Sequence, residues 1–252
     1  MDDRELLKKR ITEADRTAYE RSILKVCGFL SAEEQGEYYR LERGFVSEQH
    51  FLNGGHPEAE RQMAFFVPEY MDKDEAVAEK ISILKITPVN ARFSEELNHR
   101  DYLGALMNLG IERECTGDII ADRDRCFVFV YKELEEMICR ELTRIRHTTV
   151  SCIPADEAPE TILPTFEKLC INIASERIDA VAAAVFRASR QKAAEAVSSE
   201  RILINGVLTL SPSRQLKPGD RVSVRGAGKF IYDGISGSSR KGRLFADIRK
   251  YV

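Results

Sequence analysis

The sequence predicts an α+β fold in three parts: an α-rich N-terminal domain over residues 1–75, a β-α-β-β-α-β middle domain over 76–174 and a basic C-terminal module over 175–252. Three observations predict it. Apolar residues of the first stretch recur at helical spacing, those of the second alternate between helix and strand periods, and the charge reverses sign in the third. Residues 175–252 carry 15 Lys and Arg against 7 Asp and Glu, a net of +8, whereas residues 1–174 carry 23 against 34, a net of −11. The overall balance of −3 therefore hides a cationic head on an acidic body, the pattern of a polyanion-binding module.

In the first part, Leu6, Leu7, Ile11, Ala14, Ala18, Ile23 and Val26 mark a helix over 1–27. A second helix is expected over Ser31–Arg43, with Ser31 and Glu34 forming a capping box. Gly44–Pro57, containing Asn53-Gly54-Gly55, reads as a loop, and Gln62–Val67, bounded by Pro68, as a strand.

The middle part begins with a strand over Ile81–Thr87. Ser94 is expected to cap a helix that ends near Leu109 and stops at Gly110. Gly104 inside it costs about 1 kcal/mol relative to Ala, which points to close packing or to approach of a ligand. Gly117–Ala121 and Cys126–Tyr131 read as strands joined by a turn over 122–125, followed by a helix over Lys132–Arg146 and a strand over Thr148–Ile153. That order is the ferredoxin-like plan, which the RRM also uses. Phe127, Phe129 and Tyr131 share one face of the third strand, either as a stacking platform for bases or as a buried core or domain interface. Residues 154–165, rich in Pro and acid, read as a linker, and Phe166–Ala174 as a strand returning to the middle domain.

The basic module reads as a helix over Glu176–Arg187 capped by Ser175, a helix over Arg190–Val197 capped by Ser189, and short strands with tight turns at Asn205-Gly206 and Lys217–Asp220. Its cations collect at element ends. Arg177, Arg187, Arg190 and Lys192 surround the junction of the two helices, and Arg201, Arg225 and Lys229 lie on the strand side. With Ser189, these are the candidate RNA-binding residues; the Ser189 hydroxyl has a capping role open to it as well as a phosphate. Helix N-termini would add amide donors suited to phosphate. Arg100, Arg113 and Arg123 either extend the surface into the middle domain or are plain surface charge, and Arg240, Lys241, Arg243, Arg249 and Lys250 make the tail, with a flexible turn and a last strand over Arg243–Ile248, either an extra RNA-touching edge or a solvated end. Glu112 and Glu114 read either as local ion-pair partners of Arg113 or as charges that repel the wrong RNA.

The succession Ser175-Glu176-Arg177-Ile178-Asp179, Ser189-Arg190-Gln191-Lys192-Ala193, Ile204-Asn205-Gly206 and Lys217–Arg225 resembles the S4 RNA-binding domain, the alpha-L motif. The resemblance implies that Arg177, Ser189, Arg190 and Lys192 face structured RNA. Asp179 departs from the surrounding positive charge and reads as a local partner of an arginine or a support of the helix start. Three further blocks, Phe29–Gln35, Gly54–Arg61 and Gly104–Glu114 with Gly117-Asp118-Ile119, resemble the YlmH-like proteins. That resemblance implies a bacterial, cytoplasmic RNA-binding factor without catalysis of its own. It further implies rRNA or tRNA of the large ribosomal subunit as partner, in ribosome-associated quality control of stalled peptidyl-tRNA.

Other classes find less in the sequence. A pseudouridine synthase would need a catalytic Asp in a Gly/His-Arg-Leu-Asp setting, and Gly242-Arg243-Leu244-Phe245 lacks it. A methyltransferase would need a glycine-rich loop after an early strand, and Gly226-Ala227-Gly228 comes too late. A division-linked adaptor would have only the acidic half to rest on. The six cysteines form no CxxC and the four histidines no HxxxH, so no metal and no cofactor is expected. The charged start MDDRELLKKR and the short apolar run Ala180–Phe186 predict neither a secretory signal nor a membrane span.

Overall fold

The computed structural model describes residues 3–122, 125–156, 165–239 and 242–252. The chain divides into two compact units, residues 1–163 and 164–252. The expected turn at 123–124, most of the linker, and Arg123, Arg240 and Lys241 lie outside the described residues. No helix among the described residues is long and apolar enough to cross a membrane.

The first unit opens with helix α1 (Asp3–Arg21), which buries Leu7, Ile11, Asp15 and Ala18 along one stripe. Strand β1 (Lys25–Leu30) follows where the sequence reading continued the helix. Helix α2 (Ala32–Leu41) carries the expected capping box: the Glu34 amide donates to Ser31 Oγ and the Ser31 amide to Glu34 Oε2. Strands β2 (Gln49–Asn53) and β3 (Gln62–Val67) complete an antiparallel sheet in the order β1-β3-β2, so part of the expected Gly44–Pro57 loop is strand. The buried Asp15 is satisfied by the amides of Val46 and Ser47, both at 2.9 Å, which ties the segment before β2 to α1.

After helix α3 (Lys73–Lys80) come β4 (Ile81–Pro88), α4 (His99–Asn108), β5 (Thr116–Asp122), β6 (Arg125–Tyr131), α5 (Glu135–Glu141), β7 (Arg144–Ile145) and β8 (Thr148–Ala155). The five strands form one antiparallel sheet in the order β5-β6-β4-β8-β7, the ferredoxin-like arrangement with a small edge strand added. Two helix limits differ from expectation. α4 starts at His99 rather than after Ser94, because Asn98 and Asp101 make a capping box there. α5 stops at Glu141, since Leu142 leaves helical geometry and Arg146 takes a positive φ in the turn between β7 and β8; Leu142 and Ile145 stay buried without being helical. Gly104 meets nothing within 4 Å, so close packing does not account for it.

The central strand β6 has two buried faces. Cys126, Val128 and Val130 pack with Tyr102, Leu106 and Ile138 under α4 and α5. Phe129 packs with Phe29, Met63, Phe65 and Val67 of β1 and β3, and Tyr131 joins the same cluster, its ring edge-on to Phe29 at 6.1 Å. Phe127 is only 2% exposed. Of the two roles open to this face the structure shows the buried one: Phe129 and Tyr131 lie at an internal interface between the N-terminal sheet and the middle sheet, not on an open stacking platform.

The second unit begins earlier than expected. Strand β9 (Phe166–Ile173) does not return to the middle domain but pairs along its whole length with the last strand, β14 (Leu244–Tyr251). Between them lie helices α6 (Ile178–Val185) and α7 (Arg190–Ser198), hairpin β10 (Ile202–Ile204) and β11 (Val207–Leu208), then β12 (Asp220–Val224) and β13 (Gly228–Ser238). The sheet order is β11-β10-β12-β13-β14-β9, antiparallel throughout. Asn205 and Gly206, at φ 49 and 72, make the expected two-residue turn. The expected flexible tail is instead the end of β13, where the register shifts around Gly234, at φ 112. Val181, Val185 and Val197 of the helices pack on Val222, Val224, Phe230, Tyr232 and Ile248, so both helices cover one face of this sheet.

Candidate nucleic-acid interface

The junction of α6 and α7 is built on a backbone frame. α6 starts at Ile178, with Arg177 in the N-cap position and no side-chain cap, so Ser175 does not cap it. The amides of Ile178 and Asp179 donate instead to the carbonyls of Arg214 (2.8 Å) and Pro212 (3.3 Å). Arg177 also bridges Gln215 as an isolated antiparallel pair, and the Tyr232 hydroxyl donates to Glu176 Oε1 at 2.6 Å. These bonds fix the start of α6 and occupy its first two amides, so α6 presents side chains rather than free helix-end donors at the junction. Ser189 caps α7: its Oγ accepts from the Lys192 amide at 3.2 Å.

One carboxylate gathers two guanidiniums here. Arg177 donates from Nε to Asp179 Oδ1 (3.2 Å) and from Nη2 to Oδ2 (2.9 Å). Arg190 donates from Nε to Oδ2 (3.2 Å) and from Nη2 to Oδ1 (3.4 Å). The Asp179 side chain is 5% exposed, whereas those of Arg177 and Arg190 are 37% and 51% exposed. Burial by itself would raise the Asp179 carboxyl, but the hydrogen bonds from Arg190 and Arg177 outweigh it and hold the group below its usual 3.8. The group carries a net charge of +1 with its cations outward. Arg187, exposed and at a positive φ, lies in the turn between the helices, and exposed Lys192 follows the cap.

The strand-side candidates form a second group. Arg201 donates through Nη2 to the Arg225 carbonyl (2.8 Å), and the Arg225 amide donates to the Arg201 carbonyl (2.8 Å). Lys229 pairs in register with Ser223. Val222 and Val224 point into the helix-covered core, so Ser223 faces the other side of the sheet, with Lys229 beside it. Arg221 shares that side, as its alternation with the two valines dictates. The structure thus unites Arg177 and Arg190 through Asp179, places Arg187, Ser189 and Lys192 on the adjoining turn and helix start, and sets Arg201, Arg225 and Lys229 apart on the strands.

Arg113 and Arg61 of the first unit behave differently. Arg113 donates through Nη1 to the carbonyls of Thr116 (2.6 Å) and Gly117 (3.3 Å), which corrects its expected place on an RNA-facing surface; burial pushes its guanidinium down to about 10. Arg61 donates to the carbonyls of Thr116 (3.1 Å), Arg113 (3.3 Å) and Phe29. Asp118 accepts from His56 Nε2 (3.0 Å) and from the amides of Glu60 (2.7 Å) and Arg61 (3.0 Å). Glu114 pairs with Arg10 of α1 rather than with Arg113. Gly54 and Gly117 belong to the same seam: an added Cβ would lie 2.3 Å from the Arg61 carbonyl oxygen at one and 2.6 Å from the Phe29 ring at the other. The three sequence blocks singled out above meet here, and the seam they close joins the N-terminal part to the middle sheet.

Two domain families match the chain, one in each unit. Residues 78–158 match the family described as "Putative RNA-binding domain in YlmH", and residues 176–222 match the S4 domain. The class is therefore that of a protein assembled from RNA-binding-type domains. Within it, residues 78–158 are similar to the RNA-binding domain of YlmH, and the S4 match lies toward the C-terminal end. It is 29% identical over 194 residues to "Ribosome-associated protein quality control protein P2" of Bacillus subtilis (strain 168), a match covering 75% of this chain and 73% of the relative. The solved structure titled "Cell division protein ylmH from Streptococcus pneumoniae" is 20% identical, with a TM-score of 0.49, covering 64% of this chain and 94% of that one.

Proposed function

We propose that this protein is a non-catalytic, cytoplasmic RNA-binding factor that docks on structured rRNA or tRNA of the ribosome through the α6–α7 junction. Its target in this reading is the large subunit, in quality control of stalled peptidyl-tRNA. One observation carries the reading: two half-exposed arginines, fixed side by side on a buried carboxylate, lie inside the stretch that matches the S4 domain. Guanidinium forks on a rigid frame suit phosphate, and a structured RNA is then recognised by shape more than by base sequence. The ribosomal target follows from the name of the Bacillus subtilis relative.

Crosslinking in cells followed by sequencing of the bound RNA tests it, with an Arg190→Ala, Lys192→Ala control. The reading expects large-subunit rRNA and tRNA crosslinks that the double substitution abolishes. Crosslinks unchanged in the control would remove the α6–α7 junction from the binding surface.

A further inference from the structure

We propose that Asp179 is a positioning residue for RNA, a negative charge that strengthens binding of a polyanion by aiming two arginines. The inference rests on the reading above, in which the α6–α7 junction binds RNA. Coulomb attraction alone argues the other way, since a carboxylate inside a cationic patch lowers the local potential.

The geometry explains the gain. A guanidinium has five N–H donors in a rigid plane. Both Arg177 and Arg190 present the side edge, Nε and one Nη2 hydrogen, to Asp179. Each keeps its end edge, Nη1 and the remaining Nη2 hydrogen, for another acceptor, and that edge matches the two oxygens of a phosphate. Asp179 itself cannot move: it lies in the first turn of α6 with its amide bonded to the Pro212 carbonyl, and its side chain is buried. Two long side chains that would otherwise lose their rotamer freedom on binding have lost it already on folding.

Equilibrium binding of the full chain to a fluorescein-labelled tRNA separates the two effects. Asp179→Asn raises the net charge by one, yet it is expected to weaken binding about tenfold, the order set by re-freeing two long side chains. In an Arg177→Gln, Arg190→Gln background the same substitution is expected to change nothing further, because its targets are gone. Binding by Asp179→Asn that equals or exceeds the wild type would overturn the proposal, and so would equal weakening in both backgrounds, which would mark a structural role. If Asp179→Asn lowers the folded fraction, Asp179→Glu carries the same test: it keeps the charge but moves the carboxylate by one methylene, so loss of affinity supports the proposal and wild-type affinity overturns it. Failure of the parent reading looks different, since the two-glutamine variant would then bind as tightly as the wild type.

Discussion

Two clusters in this chain use the same ingredients, two arginines and an aspartate, to opposite ends. In the first unit Arg61 and Arg113 turn inward and spend their donors on main-chain carbonyls, while Asp118 takes up a histidine and two amides. In the second unit Arg177 and Arg190 turn outward and share one buried carboxylate. An arginine whose donors are already met by carbonyls stabilises a seam and has little left for a ligand. An arginine held by its side edge on a carboxylate keeps its end edge for one. What the guanidinium is bonded to, rather than its charge, separates structural from ligand-facing arginines.

The comparison breaks first at the aromatic strand. Phe129→Ala should cost about 3–5 kcal/mol of stability in chemical denaturation, because Phe129 is fully buried against β1 and β3. A variant of unchanged stability and lost RNA affinity would instead restore the stacking platform. Next in size, Asp118→Ala should cost about 2–4 kcal/mol by removing the acceptor of the buried His56 side chain and of the Glu60 and Arg61 amides, and the folded fraction should bind RNA as the wild type does. Arg190→Ala reverses that pattern. RNA affinity should drop about tenfold, and the slope of log affinity against log salt should flatten by about one, with the unfolding midpoint little changed because Arg177 still pairs with Asp179.

The smallest expected effect concerns acid. The Asp179 carboxyl is depressed in the folded protein, so its contribution to stability is complete above the unfolded value near 3.8 and fades as pH falls through the lower folded value. Unfolding followed from pH 5 down to pH 2 should show Asp179→Asn losing less stability than the wild type over that window. Equal slopes would mean that the carboxylate is not paired as described.

Much of this was legible in the residues. The capping box at Ser31 and Glu34, the Asn205-Gly206 turn and the sequence order of the second unit are local devices, and local chemistry is written locally. Pairings between distant segments were not. β9 joins β14 across more than seventy residues, and its alternating pattern fits a strand of either unit equally well. The burial of Phe129 depends on a sheet built from residues 25–67, to which nothing within 125–131 points. Arg113 and Arg177 look alike in the sequence; only the carbonyls of Thr116 and Gly117 around the first and Asp179 beside the second tell them apart. The cap assigned to Ser175 failed because carbonyls from Pro212 and Arg214 already supply what a cap would.

Ultraviolet crosslinking of the purified full chain to a structured RNA, with the crosslinked peptides identified by mass spectrometry, tests the central claim most directly. The α6–α7 assignment predicts crosslinks within residues 177–192 and none within 127–131. Crosslinks concentrated on β6, with the junction untouched, would contradict it.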